Sequence, residues 1–253
     1  MIEKFSLNNK VALVTGAGRG LGEAIALGYA QAGADIAVVD LDISAAEKVV
    51  AKAHDLGRKA IAIQANVCNA NEVKEMVNSV ISNLGTIDIL VNNAGIQRRN
   101  PCIEMAEEDW DAVIEVNLKG AFLCCKEVGK IMVNNRRGKV INITSLLGTV
   151  AQPNRGPYAA SKGALVQLTK VLALEWAEYG INVNALAPGY FLTELNKKLM
   201  EDKEEFDRLT SKIPMGRWGV LEDIVGPAVF LASEASDYMN GHVLYVDGGY
   251  LCM

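Results

Sequence analysis

The sequence predicts an α/β fold, a doubly wound parallel β-sheet with helices on both faces. Short runs rich in valine, isoleucine and alanine alternate with longer segments of helical periodicity along the whole chain. The short runs are apolar at nearly every position, as in parallel strands that are buried on both faces. Because no linker, repeat or low-complexity stretch interrupts this alternation, residues 1–253 are expected to form a single domain.

The strands and helices are placed by these runs and by glycine and proline at their ends. Proline at 157 suits the first turn of a helix, and glycine at 180 suits its end. The charged segment 190–213 is expected to form one or two short helices that act as a lid over a ligand crevice. Strands are predicted at residues 11–15, 35–40, 60–64, 87–91, 139–144, 182–185 and 243–246. Helices are predicted near residues 20–32, 44–56, 70–84, 105–133, 157–179 and 221–232.

Composition argues against several classes of function. The net charge of −5 argues against nucleic acid or an anionic membrane as a partner. No apolar run approaches the roughly 18 residues of a membrane span, and the first residues lack a signal-peptide core, so a cytoplasmic protein is expected. Five cysteines without metal-binding spacing and only two histidines predict free thiols and no metal site.

A glycine-rich turn, Thr15-Gly16-Ala17-Gly18-Arg19-Gly20-Leu21-Gly22, joins the first strand to the first helix. Glycines at 16, 20 and 22 let the backbone approach a pyrophosphate, and the helix N-terminus offers amide hydrogens and a partial positive charge. Such a turn alone is weak evidence, but this one follows a buried strand and opens an amphipathic helix. It therefore predicts a bound dinucleotide, as in a Rossmann fold.

Asp40 bears on which dinucleotide is bound. It ends the second strand, where a carboxylate can accept hydrogen bonds from both ribose hydroxyls of the adenosine and repel a 2′-phosphate. This favours NAD(H) as the cofactor. Arg19 is an opposing signal that leaves NADP(H) open, because a cation in the turn can help to hold a phosphate. The plainer interpretation of Asp40 is a turn residue at a strand end.

Two further motifs predict the position of the site. Asn92-Asn93-Ala94-Gly95 follows the fourth strand, and small polar residues there line the ligand crevice of a doubly wound fold, although asparagine-rich turns are also common elsewhere. Tyr158 and Lys162 are four residues apart and share one face of the predicted helix 157–179. Alone, this pair is typical of a solvated helix face; in this fold it indicates a catalytic acid.

Together these motifs resemble the short-chain dehydrogenase/reductase family over the whole chain. The matching residues are Thr15-Gly16-x-x-x-Gly20-x-Gly22, Asn92-Asn93-Ala94-Gly95, Asn117, Ser145, Tyr158-x-x-x-Lys162 and Pro188-Gly189-x-x-x-Thr193. The resemblance implies hydride transfer between a nicotinamide cofactor and a carbinol carbon. It also implies a homotetramer that pairs the long helices holding Asn117 and Tyr158 and docks the C-terminal ends, and the apolar tail Tyr250–Met253 fits such burial.

The resemblance also implies a role for each matching residue. Tyr158 is the acid/base, Lys162 tunes it and holds the nicotinamide ribose, Ser145 binds the substrate oxygen, and Asn117 anchors a water that carries protons outward. Asn66 replaces the aspartate that usually faces the adenine, and its amide oxygen can still accept from the adenine amino group. The residues expected to bind the cofactor are Gly16, Arg19, Gly20, Leu21, Gly22, Asp40, Leu41, Asn66, Val67, Asn93, Ala94, Gly95, Tyr158, Lys162, Pro188, Gly189, Phe191 and Thr193.

A tyrosine that acts as a base near neutral pH needs a large shift of its pKa. A phenol has a pKa of about 10, so the shift is about 3 units downward, or about 4 kcal/mol in favour of the phenolate. Burial acts in the opposite direction. We therefore expect positive charge to lower the pKa, supplied by Lys162 and by the oxidised nicotinamide ring.

Three segments resemble the sugar-acid branch of the family, the gluconate 5-dehydrogenases and 2-dehydro-3-deoxygluconate 5-dehydrogenases. They are Ile96-Gln97-Arg98-Arg99, Pro214–Gly219 and Tyr238–His242. An arginine beside the crevice can pair with a carboxylate in two parallel hydrogen bonds, with Arg99 the first choice and Arg98 the second. Alternatively, this arginine pair is solvated or bound to Glu104 or Glu107. The expected substrate-binding residues are Arg99, Arg98, Ser145, Leu147, Arg155 and Tyr190.

Two other functions stay open at this point. The same chemistry can act on a 3-oxoacyl thioester or a simple ketone, and a basic patch at Lys126, Lys130, Arg136 and Arg137 would suit an acyl carrier protein. A dinucleotide sensor that has lost catalysis predicts a broken catalytic set, whereas all four positions are intact here.

Overall fold

Within residues 2–252, which the structure describes, seven parallel strands form one sheet in the order β3-β2-β1-β4-β5-β6-β7. The structure is a computed structural model, and Met1 and Met253 of the expected domain and tail lie outside the described residues. The strands are β1 (Val11–Thr15), β2 (Asp35–Asp40), β3 (Ala60–Gln64), β4 (Ile89–Asn92), β5 (Gly138–Ile143), β6 (Ile181–Pro188) and β7 (Val243–Val246).

Helices cover both faces of this sheet. They are α1 (Gly20–Gln31), α2 (Ile43–Asp55), α3 (Ala70–Leu84), α4 (Glu107–Ile114), α5 (Ala121–Asn135), α6 (Gly156–Trp176), α7 (Lys197–Glu201), α8 (Lys203–Thr210) and α9 (Leu221–Ala232). One apolar core lies under α1, α2 and α9, and the other lies under α3, α5 and α6. Strand β1 is buried at all five positions between the two cores, which explains its unbroken apolar run.

The order of the strands fixes where a ligand can bind. The chain winds outward from β1 through β2 to β3, then returns to place β4 on the other side of β1. The crossovers that follow β1 and β4 therefore leave the sheet in opposite directions, and a crevice opens between their carboxyl ends. The predicted fold class, a doubly wound parallel sheet of seven strands, is confirmed.

Three elements differ from the sequence prediction. Strand β4 begins at Ile89 and includes Asn92, because Asn92 pairs with Asn142 on β5. Strand β6 is longer than predicted, since it runs to Pro188 in register with Val246 of β7. The helix predicted over 105–133 is broken by a π-helical turn at Glu115–Gly120 that separates α4 from α5.

The charged segment predicted as a lid contains a short 3₁₀ turn at Glu194–Asn196 followed by α7 and α8. Its apolar side chains Tyr190 and Leu209 form a third cluster with Leu146, which follows β5, and with Trp218. Trp218 donates a hydrogen bond to the hydroxyl of Thr210, so its role is packing. The segment therefore has its own small core above the carboxyl end of the sheet.

In the described part of the chain, no helix combines the length and the apolar character needed to cross a membrane. The five cysteines are free thiols. Residues 2–252 contain no cluster of three or more histidine, cysteine, aspartate or glutamate side chains that could hold a metal ion.

The side chain of Tyr29 connects helix α1 to helix α9. It is fully buried, and its hydroxyl donates to the carbonyl of Ala228 at 3.1 Å, so α1 is tied to α9. We expect Tyr29→Phe to lower the free energy of unfolding by about 1–3 kcal/mol, because a buried carbonyl loses its side-chain donor. Urea denaturation at fixed protein concentration measures this loss. Tyr238→Phe, at a fully exposed tyrosine, serves as the control and should leave the midpoint unchanged.

Candidate active site

The crevice at the carboxyl ends of β1, β4, β5 and β6 contains most of the residues that the sequence singles out. Tyr158, Lys162 and Ser145 line its inner wall. Pro188, Gly189, Phe191 and Thr193 line the side that leads into the lid segment. The remaining lining residues are Leu21, Asn93, Gly95, Gln97, Ile143, Thr144, Leu146, Leu147, Gln152, Arg155, Tyr190, Leu195 and Asn196.

The glycine-rich turn fits a pyrophosphate. A side chain at Gly16 would meet the backbone of Ala94 at 2.8 Å, and one at Gly22 would meet the carbonyl of Gly16 at 2.3 Å, so both glycines are required for packing. Gly20 has φ +60° and faces open space at the start of α1. Arg19, which is exposed, gives α1 no side-chain cap, and the first amides of the helix stay available to an anion.

Asp40, the residue expected to bind the adenosine ribose, lies against the glycine-rich turn. One of its carboxylate oxygens accepts from the backbone amide of Gly18 at 2.9 Å, and the other accepts from Asp42 at 3.1 Å, so the carboxylate is held against the glycine-rich turn. Leu41 beside it is 64% exposed. The Asn66 amide oxygen accepts from the backbone of Cys68 at 3.0 Å, so the oxygen expected to face the adenine already serves a local turn.

Other expected cofactor residues are part of the framework of the crevice. Asn93 donates to the carbonyls of Thr15 and Gly16, and Ala94 donates to the Thr15 hydroxyl. Val67 is buried and lies against Gly120, where an added Cβ would be 2.7 Å from the valine. Such contacts fix the shape of the crevice.

Tyr158 and Lys162 lie together, as their spacing predicts. The Nζ atom of Lys162 is 5.7 Å from the centre of the Tyr158 ring and donates to the carbonyl of Ile143 at 2.7 Å. The lysine is 4% exposed, and burial lowers its pKa to about 8. Burial therefore destabilises the charged ammonium group of Lys162. A hydroxyl or phenolate oxygen within hydrogen-bond distance would stabilise it.

The pKa of Tyr158 is raised above its usual value of 10, and the largest cause is burial. The hydroxyl group of Ser145 and the charge of Arg155 act against this rise. The sequence predicts that Lys162 and the oxidised nicotinamide ring lower this pKa. In the structure the cation that does so is Arg155, one helical turn before Tyr158, and a sequence pattern built on Tyr-x-x-x-Lys does not reveal it.

Ser145 follows β5 and begins a short 3₁₀ turn, Leu146–Gly148. Its Oγ atom accepts from the amide of Leu147 at 3.2 Å. Because this bond uses a lone pair, the hydroxyl hydrogen stays available for a substrate oxygen. The position at the carboxyl end of a buried strand directs Ser145 into the same crevice as Tyr158.

Asn117 lies in the π-helical turn and is 1% exposed. Its amide oxygen accepts from the backbone N–H of Ile96 at 2.8 Å, and its nitrogen donates to the Ile96 carbonyl and to the Ser161 hydroxyl, both at 3.0 Å. Both N–H groups are therefore occupied. The side chain clamps the loop after β4 to α6, and the expected anchoring of a water by Asn117 stays a prediction.

The two arginines of the loop after β4 point to different places. Arg98 forms an ion pair with Asp109 at 2.9 Å and is about half exposed, so it lies outside the crevice. The alternative expectation named Glu104 or Glu107 as the partner, whereas Arg98 pairs with a different acidic residue of the next helix, Asp109. Arg99 donates to the Gln97 side-chain oxygen at 3.3 Å, and its Nη2 atom is buried without a hydrogen-bond partner among the described residues.

The expected pocket walls Leu147 and Tyr190 lie at the lid side of the crevice. Tyr190 packs against Trp218 with ring centres 5.0 Å apart, and its hydroxyl is bonded to the amide of Gln152. Gln97 and Gln152 are site residues that the sequence analysis did not propose. A single glutamine in a loop carries no recognisable pattern, and only the fold brings these two to the crevice.

Fold and site together define an oxidoreductase that binds a nicotinamide cofactor. A family model described as enoyl-(acyl carrier protein) reductase matches residues 16–251. The chain is 44% identical over 251 residues to the 5-keto-D-gluconate 5-reductase of Escherichia coli strain K12, with 99% of each chain covered. It is 46% identical over 255 residues to the 2-dehydro-3-deoxy-D-gluconate 5-dehydrogenase of Pseudoalteromonas atlantica, again with 99% of each covered.

A solved structure agrees with these relatives. The gluconate 5-dehydrogenase from Burkholderia cenocepacia J2315, in complex with NADP and tartrate, has a TM-score of 0.97 to this chain at 43% identity and covers 100% of this chain and 99% of its own. The chain belongs to the short-chain dehydrogenase/reductase family. The resemblance inferred from its motifs is therefore confirmed.

The influence of Ser145 on Tyr158 predicts a shift in the pH profile. Oxidation of an alcohol needs the phenolate, so its kcat/KM rises with pH as Tyr158 loses its proton. Ser145→Ala removes the hydroxyl group that lowers the pKa of Tyr158, so the rising limb should move to higher pH than in the parent protein. Initial rates across an alkaline pH series measure the shift. Ser44→Ala, on exposed α2, is the control; a limb at unchanged or lower pH in Ser145→Ala contradicts the prediction.

Proposed function

We propose that the protein interconverts a secondary alcohol of a sugar acid and the corresponding keto acid, with NAD(H) as its preferred cofactor. The observation that carries this proposal is the convergence of Ser145, Tyr158 and Lys162 on one crevice that also contains a buried arginine. The relatives whose names refer to gluconate and 2-dehydro-3-deoxygluconate support the substrate class.

The cofactor, when bound, supplies the hydride in reduction and takes it in oxidation. In our proposal the first amides of α1 bind its pyrophosphate, Asp40 binds the adenosine ribose and Lys162 binds the nicotinamide ribose. Pro188, Gly189, Phe191 and Thr193 complete the wall on the other side. Burial of Lys162 favours this role, because hydroxyl oxygens would stabilise an ammonium group that the protein alone solvates poorly.

In reduction, the phenol of Tyr158 gives its proton to the oxygen of the substrate, and Ser145 donates a hydrogen bond to the same oxygen as it gains charge. In oxidation, the phenolate takes the proton from the alcohol. Asn117 keeps the loop after β4 fixed against α6 during both directions, through its bonds to Ile96 and Ser161. The segment 190–213 closes over the reacting carbon and excludes water.

We also propose a homotetramer built on the long helices. Three apolar side chains on α5 and α6 are exposed: Phe122 by 45%, Val171 by 48% and Leu174 by 82%. We infer that a second copy of the chain covers these side chains, since exposed apolar patches mark interaction sites.

Acyl carrier thioesters are a second substrate class, which the description of the matching family model brings into consideration. The basic patch that would receive such a carrier is partly neutralised. Lys130 pairs with Glu127, and Arg137 pairs with Asp88. Arg136 lies over the ring of Tyr179. The structure therefore gives this alternative little support.

A substrate panel tests the proposal. Consumption of NADH is followed by absorbance with 5-keto-D-gluconate, 2-dehydro-3-deoxygluconate-type keto acids, a neutral ketone and a 3-oxoacyl thioester. We expect the highest kcat/KM on a keto sugar acid, and we expect Tyr158→Phe to lower turnover by about 10²–10⁴-fold while the dissociation constant of NADH changes little. Tyr179→Phe is the control. A thioester preference rejects the substrate class, and activity retained by Tyr158→Phe rejects the acid/base.

The preference for NAD(H) rests on Asp40. Asp40→Ser removes the negative charge that would face a 2′-phosphate, so the ratio of kcat/KM with NADPH to that with NADH should rise about tenfold or more. Asp42→Ser removes an equal charge two residues away and keeps a residue that can cap α2, so it is a matched control. Equal ratios in the parent protein and in Asp40→Ser contradict a role for Asp40 in selecting the cofactor.

A further inference from the structure

Arg155 is a buried cation that has no counter-ion among the described residues. It is 7% exposed, and burial is the main cause of its lowered pKa. Its Nη1 atom donates to the side-chain oxygen of Gln97 at 2.8 Å, and it forms no ion pair with any residue from 2 to 252. A desolvated guanidinium bonded only to a neutral amide is incompletely compensated, since buried charges are normally paired.

The position of Arg155 in α6 adds to this imbalance. The residue is the N-cap of the 21-residue helix α6, and its side chain provides no capping hydrogen bond. The N-terminus of a helix carries a partial positive charge and is stabilised by anions. A guanidinium placed there meets a potential of its own sign. An anion bound at this point would be stabilised by both the side chain and the helix end.

A second guanidinium shares the same acceptor. The side-chain oxygen of Gln97 accepts from Arg155 at 2.8 Å and from Arg99 at 3.3 Å. The Nη2 atom of Arg99 is buried with no hydrogen-bond partner in the described part of the chain. One neutral oxygen therefore accepts hydrogen bonds from two cations. Gln97 and Arg155 line the crevice together with Tyr158 and Ser145, whereas Arg99 does not.

The acidic group whose charge acts on Arg155 is already committed elsewhere. Glu205 on α8 contributes to the pKa of Arg155, but both of its carboxylate oxygens accept from Arg208, at 2.6 and 2.7 Å. The other charged or titratable groups that act on Arg155 are the phenols of Tyr190 and Tyr158. Among residues 2–252, therefore, no carboxylate is free to pair with Arg155, and the site has room for an anion from outside.

We propose that Arg155 is a specificity-determining residue that binds the carboxylate of the substrate, and that this carboxylate replaces the side-chain oxygen of Gln97. The inference rests on the proposed function and assigns its charged substrate group to a residue. A carboxylate can receive two parallel hydrogen bonds from one guanidinium, which a single amide oxygen cannot match. Arg99, the first choice from the sequence, supports the site through Gln97 and does not line the crevice.

Two substrates that differ only in the charged group test the assignment. D-gluconate and D-glucitol share the reacting alcohols, and a carboxylate in the first replaces a CH₂OH group in the second. We expect Arg155→Gln to lower kcat/KM for gluconate about 10–100-fold more than it lowers kcat/KM for glucitol. Any loss that arises because Arg155 no longer lowers the pKa of Tyr158 falls on both substrates alike and cancels in this ratio. Arg58→Gln, which removes a cation at the opposite edge of the sheet, should leave both values unchanged.

A second variant keeps the shape of the site and changes its charge. Gln97→Glu places a carboxylate beside Arg155, so it should act as an internal competitor and lower kcat/KM for gluconate more than for glucitol. This variant remains informative if Arg155→Gln does not fold, which thermal melting and the dissociation constant of NADH will show.

The outcomes distinguish a failure of the proposed substrate class from a failure of the assignment of Arg155. A parent protein that shows no preference for gluconate over glucitol overturns the proposed substrate class and the assignment of Arg155 with it. A parent protein that prefers gluconate, combined with equal losses on both substrates in Arg155→Gln or in Gln97→Glu, overturns the assignment alone. A loss that is at least about tenfold larger on gluconate than on glucitol in either variant supports it.

Discussion

The polar contact between the carboxyl ends of β1 and β4 is the constraint on which the site depends. The Thr15 hydroxyl accepts from the backbone amides of Asn93 and Ala94, both at 3.1 Å. The Asn93 side chain in turn donates to the carbonyls of Thr15 and Gly16, at 2.9 and 2.8 Å. These bonds hold the glycine-rich turn against the loop after β4 at the point where the winding of the sheet reverses. Both walls of the crevice are thereby set relative to each other.

Charge inside this crevice is arranged by burial. For Lys162, Arg155 and Tyr158 alike, burial is the largest influence on the pKa, and it favours the neutral form of each. The crevice thus contains two cations that lack solvation and a phenol that resists ionisation. An oxygen anion on a substrate, or the phenolate of Tyr158, would give each of these cations a partner of opposite charge. The cations in turn stabilise that negative charge. A site of this type stabilises negative charge that develops during a reaction.

Much of this organisation follows from local sequence patterns. The strands were predictable because parallel strands buried on both faces leave unbroken apolar runs. The glycine-rich turn was predictable because it joins such a strand to an amphipathic helix, and the structure adds that Ala94 leaves no room for a side chain at Gly16. The π-helical turn at Glu115–Gly120 was not, since one residue of extra winding leaves the apolar periodicity on either side intact. Adjacent arginines posed a similar problem. The side chains of Arg98 and Arg99 point to different places. Arg98 lies at the surface because it pairs with Asp109, a contact that the sequence does not reveal.

The long-range amide contacts could not be predicted at all, yet they determine how the crevice responds to a ligand. The loop after β4 is fixed at three points: Asn93 to the glycine-rich turn, Ile96 to Asn117, and Gln97 to the lid. The last contact is made by the Gln97 side-chain nitrogen, which donates to the carbonyl of Leu195 at 3.0 Å, while the oxygen of the same amide binds Arg155. Under the proposed binding of a substrate carboxylate to Arg155, displacement of this oxygen would also move the nitrogen that is bonded to Leu195. The amide group is planar, so its oxygen and nitrogen turn together, and the proposal therefore couples the ligand of Arg155 to the contact at Leu195.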